Sequence, residues 1–135
     1  MASFESALAA RLLAVTAVTD LVGTRITPIG SKASDNPTLP YLTYYRIGTT
    51  DERTMGGGGV QTAELRIDIW AATQSEVVSI AQAIKGLSGT SLDWFAGASG
   101  GLTILHTEKV AEADIPDSDP GIFHRFLDFE MMAQE

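Results

Sequence analysis

The chain has 135 residues, enough for one domain whose core stands without cross-links. It has no cysteine, which excludes a disulfide framework, thiolate zinc sites and thiol catalysis. Seventeen acidic residues against nine basic ones leave a net charge of −8, a surface that repels phosphate backbones and argues against tight nucleic-acid binding.

Met1–Leu12 has no basic start and carries Glu5 early, so no signal peptide is expected; no apolar run nears the roughly 18 residues of a membrane span. Ser3–Thr19 is predicted to be a helix, because Phe4, Leu8, Leu12 and Val15 recur every three or four residues. Ser3 is its expected N-cap, and Glu5 complements the positive end of the dipole. Leu21-Val22-Gly23 closes the segment. Arg25–Ile29 reads as a short extended piece stopped by Pro28, and Gly30–Pro40 as a loop. Tyr41–Gly48 is predicted to be a strand, with Tyr41, Thr43, Tyr45 and Ile47 on one side and Leu42, Tyr44 and Arg46 on the other. Thr49–Val60 is expected to be a long, mobile hairpin arm, because ordering the run Gly56–Gly59 costs much backbone entropy.

The organising stretch is Ala63–Ala71. Ala63, Leu65, Ile67, Ile69 and Ala71 fall on one side; Glu64, Arg66, Asp68 and Trp70 fall on the other, which is a strand with one dry and one polar face. Thr73-Gln-Ser-Glu76 is a capping-box pattern that opens a helix to about Leu87, with Val77, Ile80, Ala81, Ile84 and Leu87 as its buried stripe. Ser88–Gly101 is Gly/Ser/Ala-rich around Leu92, Trp94 and Phe95. Leu102–Val110 and Ile122–Met132 are predicted strands joined by an acidic, turn-rich connection, Ala111–Gly121. The expected fold class is α+β: a mainly antiparallel sheet of four to five strands with two helices packed on one face, as one domain over 1–135.

None of the candidate chemical motifs is complete. Gly56–Gly59 lacks the lysine, the hydroxyl and the following helix of a phosphate loop. Asp114, Asp117 and Asp119 have calcium-loop spacing without the glycine and closing glutamate, so a solvated turn is the better reading. His106 reads as either inward-pointing or at a strand end. His124 shares a face with Asp128 and Glu130, a conceivable histidine–carboxylate pair, but no nucleophile motif accompanies it. A plain strand histidine is expected, with no enzyme activity, cofactor or metal site. Trp70 among charges is either an interface anchor or a ring tucked under a loop. Trp94-Phe95 is either a local core patch or a docking knob.

Four stretches taken together carry a resemblance: ALAARLLAVTAVTDLVGTRITP, LPYLTYYRIG, ELRIDIWAATQSEVVSIAQAIKGLSG and FHRFLDFEMM. In order and spacing they resemble the phage tail-completion family, the tail terminators or head–tail joining proteins of long-tailed, siphovirus-like phages. The likeness spans most of the chain outside the loops and departs at Ser91–Gly101. It implies a non-catalytic virion protein that forms a ring, usually of six copies, on the head-proximal end of the tail tube. Such a ring ends tube growth and offers a surface to the head connector. The implied partners are further copies of the chain, the tail-tube protein and the head-connector or stopper protein. DNA would pass without specific binding, and assembly would take place in the host cytoplasm. Exposure and pattern nominate Arg46, Glu64, Arg66, Asp68 and Trp70 for subunit contacts. They nominate Asp51, Glu52, Arg53, Thr54 and Met55 as an arm that docks on the tube or a neighbour. The competing reading is a monomeric or dimeric α+β module that binds a small ligand or peptide, and mass measurement with and without tube protein separates the two.

Overall fold

A computed structural model describes residues 3–28, 39–53, 59–86, 92, 95–116 and 121–134. The elements run α1 (Phe4–Ala14), α2 (Thr16–Val22), β1 (Ile26–Pro28), β2 (Tyr41–Arg53), β3 (Gly59–Ala71), α3 (Gln74–Lys85), β4 (Gly97–Ser99), β5 (Leu102–Ile115) and β6 (Phe123–Gln134). The α+β class is as expected. The detail differs: the sheet has six strands in the order β1-β2-β3-β6-β5-β4, and there are three helices among the described residues.

The expected first helix is divided. Ser3 caps α1 as predicted, its hydroxyl accepting from the Ser6 backbone while Ser6 Oγ accepts from the Ser3 N–H. The break falls at Val15, which is extended at φ −90° and ψ 108°. Val15 and Thr16 are adjacent β-branched residues, and their restricted χ1 weakens the helix there. The turn lets Val18 and Val22 of α2 reach the core that Phe4, Ala7, Leu8 and Leu12 of α1 already fill. Gly23 ends α2 at φ 61°. In α3, Thr73 Oγ1 accepts from the Glu76 N–H, Val77, Ile80, Ala81 and Ile84 are buried, and Gly86 stops the helix at φ 62°. Leu87 lies outside the described residues.

The organising strand is central, between β2 and β6. Ala63, Leu65, Ile67, Ile69 and Ala71 are all buried, and the first three meet Met131, Phe129 and Leu127 across the β3–β6 register. Burying each of these larger side chains stabilises the fold by about 1.5–3 kcal/mol. The strands outrun their predicted ends. Thr49–Arg53 and Gly59–Val60 are paired strand, so the arm expected over Thr49–Val60 is sheet at both ends; Asp51 accepts a 2.8 Å hydrogen bond from Gln61 Nε2. Only 54–58 of that stretch lies outside the described residues. Ala111–Ile115, expected to be connection, continues β5 against β6. Ser88–Gly101, for which the sequence predicts no element, contains β4, and Leu92 and Phe95 are buried there; Trp94 is outside the described residues.

Among the described residues, one buried side-chain polar atom is unsatisfied. Thr107 is buried opposite Met131, and its hydroxyl has no hydrogen-bond partner. Thr107→Val removes that desolvated group at nearly constant shape. Stability is expected to rise by about 1 kcal/mol, seen as a melting temperature higher by a few degrees.

Candidate functional site

Pairing across β2, β3, β6 and β5 sorts the face away from the helices into rows. One row is Tyr41, Trp70, His124 and Ile115; the next is Thr43, Asp68, Phe126 and Ala113; the third is Tyr45, Arg66, Asp128 and Ala111. A fourth sets Glu64, Glu130 and Glu108 side by side.

Side chains of the first three rows form two clusters, one around Arg66 and one around His124. Arg66 grips Asp128 with two hydrogen bonds, Nε to Oδ1 at 2.8 Å and Nη2 to Oδ2 at 3.0 Å, and lies 4.2 Å over the Phe126 ring. Its Nη1 donates to Tyr45 Oη at 3.4 Å. The hydrogen bonds from Arg66 to Asp128 raise the guanidinium pKa further above its ordinary value. His124 Nε2 is 2.7 Å from Asp68 Oδ1, and Trp70 stacks on the imidazole at 3.7 Å and on Tyr41 at 5.9 Å. Asp68 and Asp128 are 6% and 4% exposed, so this face is no simple charged surface. The two acids of these rows are buried and matched within the chain, and rings pack on their partners, Trp70 on His124 and Phe126 on Arg66.

His124, expected as a plain strand histidine with a pairing to Asp128 or Glu130 as the alternative, is neither. Arg66 occupies Asp128, and the register sets Asp68 beside His124 instead. Trp70 is packed in a ring stack. His106 lies on β5, 3.7 Å from Glu108. Asp114 is bound by Arg125 at 2.6 Å; Asp117 and Asp119 lie outside the described residues, among which no cluster of three metal-ligating side chains occurs.

The nominated residues separate. Glu64, Arg66, Asp68 and Trp70 share the outer face. Arg46 does not: it sits opposite Leu65 on the helix side, pairs with Glu5 of α1 at 2.6 and 2.7 Å, and lies 5.3 Å over the Phe4 ring. Asp51, Glu52 and Arg53 end β2, while Thr54 and Met55 fall outside the described residues. The members that sequence reasoning missed, Phe126 and Tyr45, alternate correctly in their own strands; only pairing reveals that they converge on Arg66.

On the helix side, Glu112 accepts from Lys85 at 3.0 Å and Lys109 at 3.1 Å, and Arg125 bridges Glu112 and Asp114. Burial pushes the Glu112 carboxyl up, but the hydrogen bonds from Lys85 and Lys109 outweigh it and hold the group below its ordinary range. The hydrogen bond from Arg125 does the same to Asp114. Both folded-state pKa values are depressed, so their stabilisation is present above the unfolded carboxylate values and is lost as pH falls through the folded ones. The melting temperature is expected to drop as pH falls below about 4, and Arg125→Gln should flatten that acid limb.

Comparison with known proteins follows the same outline. The family model described as "Tail completion protein gp17" matches residues 6–134. A solved chain from "Virion of native gene transfer agent (GTA) particle" superposes with a TM-score of 0.79, covering 98% of this chain and 96% of that one at 13% identity. At that identity the likeness concerns the fold. No curated protein sequence matches.

Proposed function

The chain belongs to the tail completion protein gp17 family, and from that premise we propose that it is a structural, non-catalytic component of a phage tail or phage-derived tail-like particle. Copies join head-to-tail into a closed ring, with six the expected number, at the head-proximal end of the tail tube. The ring ends tube growth and presents a docking surface to the head connector. The observation that carries this reading is the family match over residues 6–134, nearly the whole chain.

The outer face fits such a role. Its buried acids are consumed by Arg66 and His124, leaving a stiff surface. Glu64, Glu130 and Glu108 are exposed cross-strand neighbours. Like charges directly opposite destabilise a sheet, so their placement answers to something outside the fold. We assign that row to the wall of the DNA passage, where it repels phosphate and lets the duplex slide. Asp51, Glu52 and Arg53, at the end of β2, are assigned to contact with the tube or a neighbouring copy.

The test is assembly of purified tail-tube protein with and without this chain, followed by gold labelling. Label confined to one tube end, with tubes of bounded length, is the expected result. Label along the whole tube, or unbounded tubes in its presence, would overturn the reading.

A further inference from the structure

Both outer margins of the sheet are stepped, and the steps match. At one margin β1 covers only Leu42–Tyr44 of β2, leaving β2 without a further strand partner from there to Arg53 among the described residues. At the other, β4 covers only Leu102–Ile104 of β5, leaving β5 without a further strand partner to Ile115 among the described residues. The register fixes their heights. Leu42 is level with Ile69, Arg125 and Asp114, and Tyr44 with Ile67, Leu127 and Glu112, so β1 stands level with the bare part of β5. Thr103 is level with Gln134, Val60 and Glu52, so β4 stands level with the bare part of β2.

We propose that a second copy of this chain docks edge to edge in a half-lap joint, with β1 of one copy filling the step on β5 of the next and β4 of that next copy filling the step on β2. The proposal rests on the ring reading above and names its contact. The fit needs no shift along the strands, so repeated joints follow rotation about an axis parallel to them and close into a ring instead of climbing into a filament. Strand directions are preserved by that rotation: β1 runs antiparallel to the neighbouring β5, and β4 parallel to the neighbouring β2. The two margins differ from each other, so the contact is head-to-tail.

The bare edges carry their own markers. Register shifts leave one extra residue at Ile47 in β2 and at Leu105 and Val110 in β5. These bulged residues are 44%, 41% and 46% exposed aliphatics on the margins themselves. A bulge blunts an edge against indiscriminate pairing and re-aims a side chain. Beyond the bulges, Thr49–Arg53 and Ala111–Ile115 keep regular pairing, and these are the stretches level with the short strands. Indiscriminate strands meet a kink; a copy with the matching step meets a straight run flanked by an aliphatic contact.

Ile47→Lys blocks one margin and Val110→Lys the other, each at an exposed position. Light scattering should find wild type as rings, alone or at tube ends, and each variant as a monomer of 14.3 kDa. Their mixture should stop at twice that mass, because one intact β5 margin meets one intact β2 margin and both free ends are blocked. Amide exchange on wild type, dilute against assembled, should show new protection at 49–53 and 111–115, a readout independent of whether the variants fold. Rings from either variant alone, a mixture without dimers, or unchanged exchange at those stretches would overturn the joint and leave the ring standing. A wild type that assembles neither alone nor on tubes would remove the ring itself.

Discussion

Gly100→Ala is expected to destabilise the fold strongly. Gly100 turns from β4 into β5 with φ +56°, and a Cβ there would lie 2.6 Å from Ser6 O and 2.7 Å from Ala7 N. Those are backbone atoms of α1, so no side-chain rotation relieves the clash. The turn is also tied to the helix by Ser99 Oγ donating to Ala7 O at 2.7 Å, and by Ser6 Oγ donating to Gly100 O at 3.4 Å. Left-handed strain of about 1–3 kcal/mol adds to overpacking of about 1–3 kcal/mol, for a loss of about 2–6 kcal/mol. Thermal unfolding should show a melting temperature lower by at least about 8 °C. Gly48→Ala is the control: its Cβ meets nothing within 4 Å, and the change should stay within about 0.5 kcal/mol. Equal effects at the two glycines would mean that the α1–turn contact does not hold β4 in place. Because β4 forms one step of the proposed joint, Gly100→Ala should also impair assembly.

That contact shows what the sequence could and could not reveal. A helix such as α3 announces itself locally, through Thr73 at its cap, four apolar residues at helical spacing and Gly86 at its end. The faces of β3 are equally local, since alternation from Ala63 to Ala71 is strict. Strand ends are not local. Thr49–Arg53 is polar and charged, Ala111–Ile115 alternates small or apolar residues with acids, and both are strands because β3 and β6 offer hydrogen-bonding partners over their full length. Three-residue β4 has a composition of Gly, Ala and Ser that reads as loop; α1 and β5 hold it as strand. The break at Val15 follows from a balance in which two β-branched residues cost a little helix energy and a bend gains burial for Val18 and Val22.

The outer face divides the same way. Alternation put Glu64, Arg66, Asp68 and Trp70 together, and His124, Asp128 and Glu130 together, without saying which faced which. A slip of two residues between β3 and β6 would keep every side chain on its face and exchange every partner. The core chooses the register, by setting Phe129 opposite Leu65 and Leu127 opposite Ile67. The polar pairs on the other side, Arg66 with Asp128 and Asp68 beside the His124–Trp70 stack, are consequences of that choice, so they were not legible from polar residues alone.

Asp128→Ala tests whether this face serves by its shape or by its charge. The carboxylate is nearly buried, while the Arg66 side chain keeps 30% of its exposure, so the stranded guanidinium can recover part of its hydration. The expected loss is about 2–3 kcal/mol, below the 3–5 of a fully buried broken pair. Replacing both partners by apolar groups of similar volume, Arg66→Met with Asp128→Leu, should restore most of that stability, since neither desolvated charge remains and Phe126 still packs against the new methionine. Denaturant unfolding of the two single variants and the double one closes the cycle. Assembly then separates the roles. If the pair only stiffens the sheet, the double variant folds and forms the same rings. If Arg66 also contacts a neighbouring copy, the double variant folds yet fails to assemble, and the contact surface extends from the sheet margins onto the outer face.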